Sequence, residues 1–166
     1  MSYQEPPRAV FDCMIYLQST ANDNGVSAKI LRLLDSKDIS LFISEQILDE
    51  INDVLHRPKI QNQIPKITDQ RVNALLIRLN QHAIKIVNVP EEYRLEQDPK
   101  DEKYINLALI ARAEYIVTFD SDMLDLMKDK SKAGKFNEAG SIFRQRYPFL
   151  KIINPVEFLS LIEQSS

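Results

Sequence analysis

Apolar positions along this chain recur with two different periods. Short runs rich in β-branched and aromatic residues alternate with longer stretches in which apolar residues return every three or four positions. The short runs predict five strands: Arg8–Asp12, Ser40–Ile43, Ala83–Val87, Tyr115–Phe119 and Leu150–Ile153. The helical period predicts helices over Ser27–Asp35, Glu45–His56, Asp69–Gln81, Lys100–Ala113, Ser121–Lys128 and Val156–Ile162. Strands separated by helices can run parallel, because each crossover carries the chain back to the same end of the sheet. The expected class is α/β, with a mainly parallel central sheet of about five strands and helices on both faces.

Composition adds a size and a compartment. The 166 residues contain no internal repeat, low-complexity tract or Gly/Ser-rich linker, which predicts a single domain over 1–166. A domain of ~150 residues buries roughly 70% of its unfolded surface and needs no staple. One irregular, basic excursion is expected at about 128–148, with Gly134, Gly140, Lys128, Lys130, Lys132 and Lys135 and a short helix near Ser141–Arg146. The lone cysteine, Cys13, has no partner for an internal disulfide, and no secretory leader is visible, so the expected location is cytoplasmic. Apolar stretches such as Ile105–Ala111 fall far short of the ~20 residues that span a bilayer. Net charge is −3, from 24 acidic and 21 basic residues, so no global positive field gathers nucleic acid.

Several acids occupy positions that a purely solvated acid has no reason to take. Asp12 ends a strand whose apolar Ala9-Val10-Phe11 implies a central position, and ligands bind at the carboxyl ends of strands in open α/β sheets. Asp is equally a favoured N-cap, here for a helix beginning near Cys13 or Met14, and both roles stay open. Ile47, Leu48, Ile51, Val54 and Leu55 share one helix face while Asp49 and Asp53 turn to water. At 3.6 residues per turn Glu50 lies on the border of that face, roughly 100° from its centre; surface acids also sit on such borders.

Asp98-Pro99-Lys100-Asp101 reads as a helix start, with Asp98 as N-cap and Pro99 at the first helical position. Asp101 differs, because Tyr104, Ile105 and Ala108 lie three, four and seven residues further on and align it with a buried stripe. A carboxylate there needs a partner or a cation; the helix dipole alone stabilises it by only about 0.3–1 kcal/mol. Asp120 follows the apolar run Tyr115–Phe119 and Asp122 lies just beyond, either of them a possible cap for the next helix. Asp12, Glu50, Asp101 and Asp120 would thus converge on one edge of a parallel sheet. A hard, oxygen-seeking divalent cation relieves the repulsion among such carboxylates.

With these residues in place the chain resembles the PIN (PilT N-terminal) domain family, in the branch of toxin components of bacterial toxin-antitoxin systems. The resemblance covers nearly the whole chain. It rests on Val10-Phe11-Asp12, on Ser44 with Ile47-Leu48-Asp49-Glu50, on Val54-Leu55-His56-Arg57-Pro58-Lys59 and on Asp98-Pro99-Lys100-Asp101. It continues through Leu107-Ala108-Leu109 and Ala113 to Leu124, and ends at Asn154-Pro155-Val156-Glu157-Phe158-Leu159.

The resemblance implies a three-layer α/β/α sandwich and a ribonuclease that uses Mg²⁺ or Mn²⁺, leaving a 5′ phosphate and a 3′ hydroxyl. Asp12, Glu50, Asp101 and Asp120 match the acidic quartet. Asp12 and Asp101 would be the main metal ligands, Asp120 would complete the shell, and Glu50 would orient water or a second ion. Asp98 and Asp122 match accessory positions. RNA is the implied substrate, an antitoxin protein the implied partner, and a homodimer is compatible with both. Where the family usually reads Asp-Thr-Asn this chain reads Asp12-Cys13-Met14, losing a hydroxyl and an amide that help order the site. The rival reading is accordingly a PIN-like module that binds RNA or protein without cutting.

Other residues have plainer readings. His56 and His82 fit surface or helix-end roles, since an oxygen-rich metal site rarely uses imidazole. Cys13 reads as a small apolar side chain without a flanking cation to activate it. Arg57 and Lys59 are candidate phosphate contacts, as is the lysine cluster at 128–135, although charge runs are commonly solvated. A receiver domain would need an acidic pair near Asp12, and a haloacid-dehalogenase-like phosphatase a second Asp where Met14 stands.

Overall fold

The computed structural model describes residues 4–165. Five strands, β1 (Arg8–Phe11), β2 (Ser40–Ser44), β3 (Ile84–Ile86), β4 (Tyr115–Val117) and β5 (Lys151–Ile153), form one sheet in the order β3-β2-β1-β4-β5. Every pairing is parallel. The helices are α1 (Cys13–Ala21), α2 (Val26–Asp35), α3 (Glu45–Leu55), α4 (Pro58–Gln63), α5 (Asp69–His82), α6 (Glu102–Ala111), α7 (Ser121–Leu124), α8 (Glu138–Arg146) and α9 (Pro155–Ser165). With helices on both faces of the sheet, the fold is a three-layer α/β/α sandwich, as the alternating pattern predicts. No described helix is long and apolar enough to cross a membrane.

Strand order decides where a site can form. From β1 the chain steps outward to β2 and β3, then crosses back to lay β4 on the other side of β1. The winding reverses between β1 and β4, and a crevice opens there at the carboxyl ends. The pairing Phe11↔Val117 sets these ends level, and Asp12 extends it by donating its N–H to Val117 O at 3.2 Å.

Helix α6 is fixed along β1 at both ends. The Arg8 guanidinium donates to Ala111 O at its carboxyl end, at 2.6 and 3.1 Å. At its amino end the Tyr104 hydroxyl accepts the Cys13 N–H at 3.0 Å. The helix therefore runs opposite to β1 and delivers Asp101 to the carboxyl edge. Asn106, buried in α6, accepts the N–H groups of Glu92 and Tyr93, and Glu102 accepts that of Leu95. These bonds lead the long connection after β3 to Asp98.

Some elements differ from the expected ones. Helix α1 is not marked by a one-sided stripe, because Ile15, Tyr16, Leu17, Ser19 and Thr20 are all buried; it packs against neighbours on most of its circumference. Helix α4 is short and has no buried residue. Strand β4 stops at Val117, and Phe119 turns out to solvent. The helix expected over Lys100–Ala113 begins as a 3-10 turn, Pro99–Asp101, and ends at Arg112, whose left-handed φ of 52° closes the last turn. The one expected over Ser121–Lys128 is α7 followed by a second 3-10 turn, Asp125–Met127.

The basic excursion is more ordered than its composition suggests. Asn137 caps α8 by accepting from Gly140 N at 3.0 Å and donates its amide to the carbonyls of Asp125 and Lys128. A Cβ on Gly140 would lie 2.9 Å from Leu126 O, so the tight approach requires glycine there. Phe143 and Tyr147 pack with Tyr93 at centroid distances of 5.2 and 6.1 Å, burying the helix face that neither charge nor glycine content reveals.

Candidate metal centre

An open cleft of about 550 Å³ lies at the carboxyl edge, and Asp12, Glu50, Asp98, Asp101, Tyr104 and Asp120 line it. The expected quartet is thus brought to one cleft, although its members are not equivalent. One carboxylate oxygen from each of Asp98, Asp101 and Asp120 lies within 4.8 Å of the other two. Asp12 and Glu50 stand beside this group.

Asp101 is the member with the least protein support. Its Oδ2 is buried without any hydrogen-bond partner, and the Asp120 and Asp98 carboxyls face it. Burial first, then Asp120 and Asp98, push the Asp101 carboxyl up to about 8. Two charges 4 Å apart repel by about 4 kcal/mol at an effective dielectric constant near 20. That exceeds the about 0.3–1 kcal/mol available from a helix dipole. A proton or a cation among these oxygens relieves that repulsion. Oxygen-only donors suit Mg²⁺ or Mn²⁺ rather than a thiophilic ion.

Asp98 and Asp120 combine both roles considered for them. Asp98 Oδ1 accepts from Lys100 N at 3.2 Å, the expected cap, while its carboxyl also faces Asp101. Asp120 Oδ1 accepts from Asp122 N and Met123 N at 2.8 and 3.2 Å, capping α7.

Asp12 is likewise a cap and more. It is 4% exposed, its Oδ1 accepts from Ile15 N at 3.3 Å, and its Oδ2 accepts the hydroxyl of Thr118. Thr118 Oγ1 in turn accepts the Asp120 N–H at 2.8 Å, so one fully buried hydroxyl ties the two strand-end acids together. Burial pushes Asp12 up to about 6, with Thr118 and the Ile15 and Phe119 N–H groups opposing the rise. Thr118 has no distinguishing mark in the sequence, since a β-branched residue is ordinary at the end of a strand.

Glu50 is held from α6. Its Oε1 accepts the Tyr104 hydroxyl, and its Oε2 pairs with the ammonium of Lys103 at 2.7 Å. Tyr104 falls on the buried stripe, as its spacing indicates, but the reach of its hydroxyl to both Cys13 and Glu50 is a tertiary fact. The Cys13 thiol is pushed up to about 12 by burial, Glu50 and Asp12, which leaves it no nucleophilic role. Met14, where an amide is usual, is exposed toward the cleft.

The remaining candidates lie further out. Asp122 and Asp125 are engaged by Lys132, at 3.1 and 3.7 Å, and Lys132 also donates to Ser121 Oγ at 3.1 Å. Arg57 pairs with Asp53 at 2.6 Å and is close enough for its charge to be felt at Cys13. Lys59 is exposed on α4. The His56 Nδ1–H donates to Asn52 O at 2.7 Å, and His82 lies exposed in the last turn of α5; neither touches the carboxylates of the cleft. Lys100, beside Asp101, lines the cleft.

Comparison with known proteins agrees with this architecture. A family model described as PIN domain matches residues 8–122, from the start of β1 to the acids that follow β4. Members of that family are generally nucleases that use divalent metals. The chain is also similar to an uncharacterized protein of Methanocaldococcus jannaschii, 27% identical over 157 residues that cover 95% of this chain and 92% of that protein.

Proposed function

This chain belongs to the PIN-domain family, and from that membership and the carboxylate geometry we propose that it is a Mg²⁺- or Mn²⁺-dependent endoribonuclease. The observation that carries the reading is the buried Asp101 Oδ2, without a hydrogen-bond donor and facing Asp98 and Asp120. These three acids would hold the ion, with Asp12 completing the donor set from the neighbouring strand end. A cation bound there lowers the pKa of a coordinated water and offsets charge on the phosphate oxygens.

The chain's own groups would do the rest. Tyr104 on one oxygen of Glu50 and Lys103 on the other still leave that carboxylate lone pairs with which to orient a water against the phosphate. Thr118 keeps Asp12 and Asp120 in register. Lys100 and Arg57 would offer positive charge to the RNA backbone at the cleft wall, with Lys59 further along α4. Asp122, tied to Lys132, would tune the edge of the site rather than ligate. Tyr104 would also order the loop after β1, a task that the absent hydroxyl and amide cannot perform beside Cys13 and Met14.

Incubation of the purified chain with single-stranded RNA in Mn²⁺, Mg²⁺ or EDTA tests this directly. Cleavage that leaves 5′ phosphates, stops in EDTA and is lost in Asp101→Asn supports it. Cleavage surviving EDTA and both Asp12→Asn and Asp101→Asn contradicts it. RNA retention without cleavage in either metal would favour the rival, a binding module. On the same reading the chain is the toxin of a toxin-antitoxin pair, acts in the cytoplasm as one domain, and has an antitoxin seated over the cleft. Native co-purification of a second, tightly held protein tests that partner, and a chain that always purifies alone contradicts it.

A further inference from the structure

A second pocket opens beside the carboxylate cleft. It holds about 540 Å³ and is lined by Gln18, Asn22, Gly25, Val26 and Ser27 together with Met14 and Phe119. Met14 and Phe119 also line the carboxylate cleft, so the two spaces share an apolar wall. Both side chains are more than two-fifths exposed, at 43% and 44%.

The N-terminus of α2, a helix of ten residues, lines this pocket through Gly25, Val26 and Ser27. Its N-cap is Gly25, which has no side chain to accept the first N–H groups. Among the described residues nothing accepts from the N–H groups of Val26, Ser27 and Ala28. Exposed helix starts always leave such donors, and alone they would mean little. Ser27 is the independent sign. It is 2% exposed and lines the pocket, yet its Oγ has no hydrogen-bond partner, an uncommon state for a buried hydroxyl. No acid lines the pocket, in contrast with the cleft next door. Three N–H groups, one hydroxyl and the positive end of a helix dipole suit an anion with several oxygens.

We propose that the N-terminus of α2 seats a backbone phosphate of the RNA, adjoining the phosphate at the carboxylates, while the nucleoside between them lies across Met14 and Phe119. The inference rests on the nuclease reading of the neighbouring cleft. An aromatic face and a thioether accept the flat side of any base, so this subsite grips single-stranded RNA without reading its sequence. A base inside a duplex stays stacked on its neighbours and cannot lie on Phe119.

Amide chemical shifts of the full chain in EDTA test the proposal, first with inorganic phosphate and then with a short single-stranded RNA. The expected result is a saturable shift of the Val26, Ser27 and Ala28 amides with phosphate that chloride does not reproduce, and movement of the same amides with RNA at lower concentration. Ser27→Ala should weaken phosphate roughly 3- to 10-fold, the loss of one hydrogen bond to a partly solvated anion. Phe119→Ala should weaken RNA while leaving phosphate unchanged. Phosphate that leaves these amides unmoved, or RNA that shifts other amides and not these, overturns the proposal. Cleavage enters neither readout, so a chain that binds in this way but never cuts would refute the nuclease and leave the subsite standing.

Discussion

The hydroxyl of Tyr104 accepts the Cys13 N–H at 3.0 Å and donates to Glu50. One phenol on α6 thereby joins the start of α1 to the acid on α3, and both bonds lie partly buried in the wall of the cleft. Tyr104→Phe keeps the ring and deletes only the two bonds. The expected cost is about 1 kcal/mol in stability, with kcat falling on the order of 10-fold at nearly unchanged KM, because Glu50 keeps only its pair with Lys103 while Asp98, Asp101 and Asp120 are untouched. Steady-state cleavage kinetics with a thermal melt measure both. An unchanged kcat beside a lowered melting temperature would reduce Tyr104 to a structural residue.

Thr118 is the corresponding link between the strand ends. Thr118→Val preserves shape, but removes the donor to Asp12 and the acceptor for the Asp120 N–H. Leaving buried groups unpaired costs roughly 1–3 kcal/mol, visible in urea unfolding. Since the Thr118 bond holds the Asp12 carboxyl down, its titration in the variant should move above about 6, as followed by carboxyl NMR. An Asp12 that titrates where it does in the unaltered chain would contradict the bond.

The contrast between these residues and the legible ones has a physical basis. Asp12 and Asp120 could be found because each follows an apolar run, and Asp101 because its spacing to Tyr104, Ile105 and Ala108 is helical. The parallel sheet follows from the same periodicities, whereas the strand order β3-β2-β1-β4-β5, which brings the acids together, does not. Thr118 and the hydroxyl of Tyr104 reach Asp12 and Glu50 across 106 and 54 residues of chain, Lys103 reaches Glu50 from the neighbouring position, and no local pattern encodes such pairings. Local pattern reads Asp98 as a cap, and only the family resemblance gives it an accessory role, because the 3-10 turn at Pro99–Asp101 cannot be told from an α-helical start. Helix α1 escaped the amphipathic signal by being buried on too many sides, and α4 by being six residues long with Ile60 alone packed on the core, and that only in part.

The raised carboxyls have a consequence for stability. Asp101 and Asp12 are pushed from 3.8 up to about 8 and about 6, so the folded chain binds their protons more tightly than the unfolded chain does. Their favourable contribution is complete below about pH 4 and is lost as pH rises through about 6 and then about 8. The metal-free protein should therefore lose more stability between pH 6 and 8 than Asp101→Asn, which has no carboxyl to deprotonate. Added Mn²⁺ should restore the difference most at the upper end. Parallel pH profiles for the two proteins in EDTA would contradict the assignment to Asp101.

Calorimetric titration of Mn²⁺ into the metal-free chain at pH 7, repeated in buffers of different ionisation enthalpy, tests the carboxylate centre most directly. The account predicts binding accompanied by proton release, because Asp101 gives up its proton to the ion, and loss of both in Asp101→Asn. Absence of binding, or equal affinity and proton release in that variant, would contradict it.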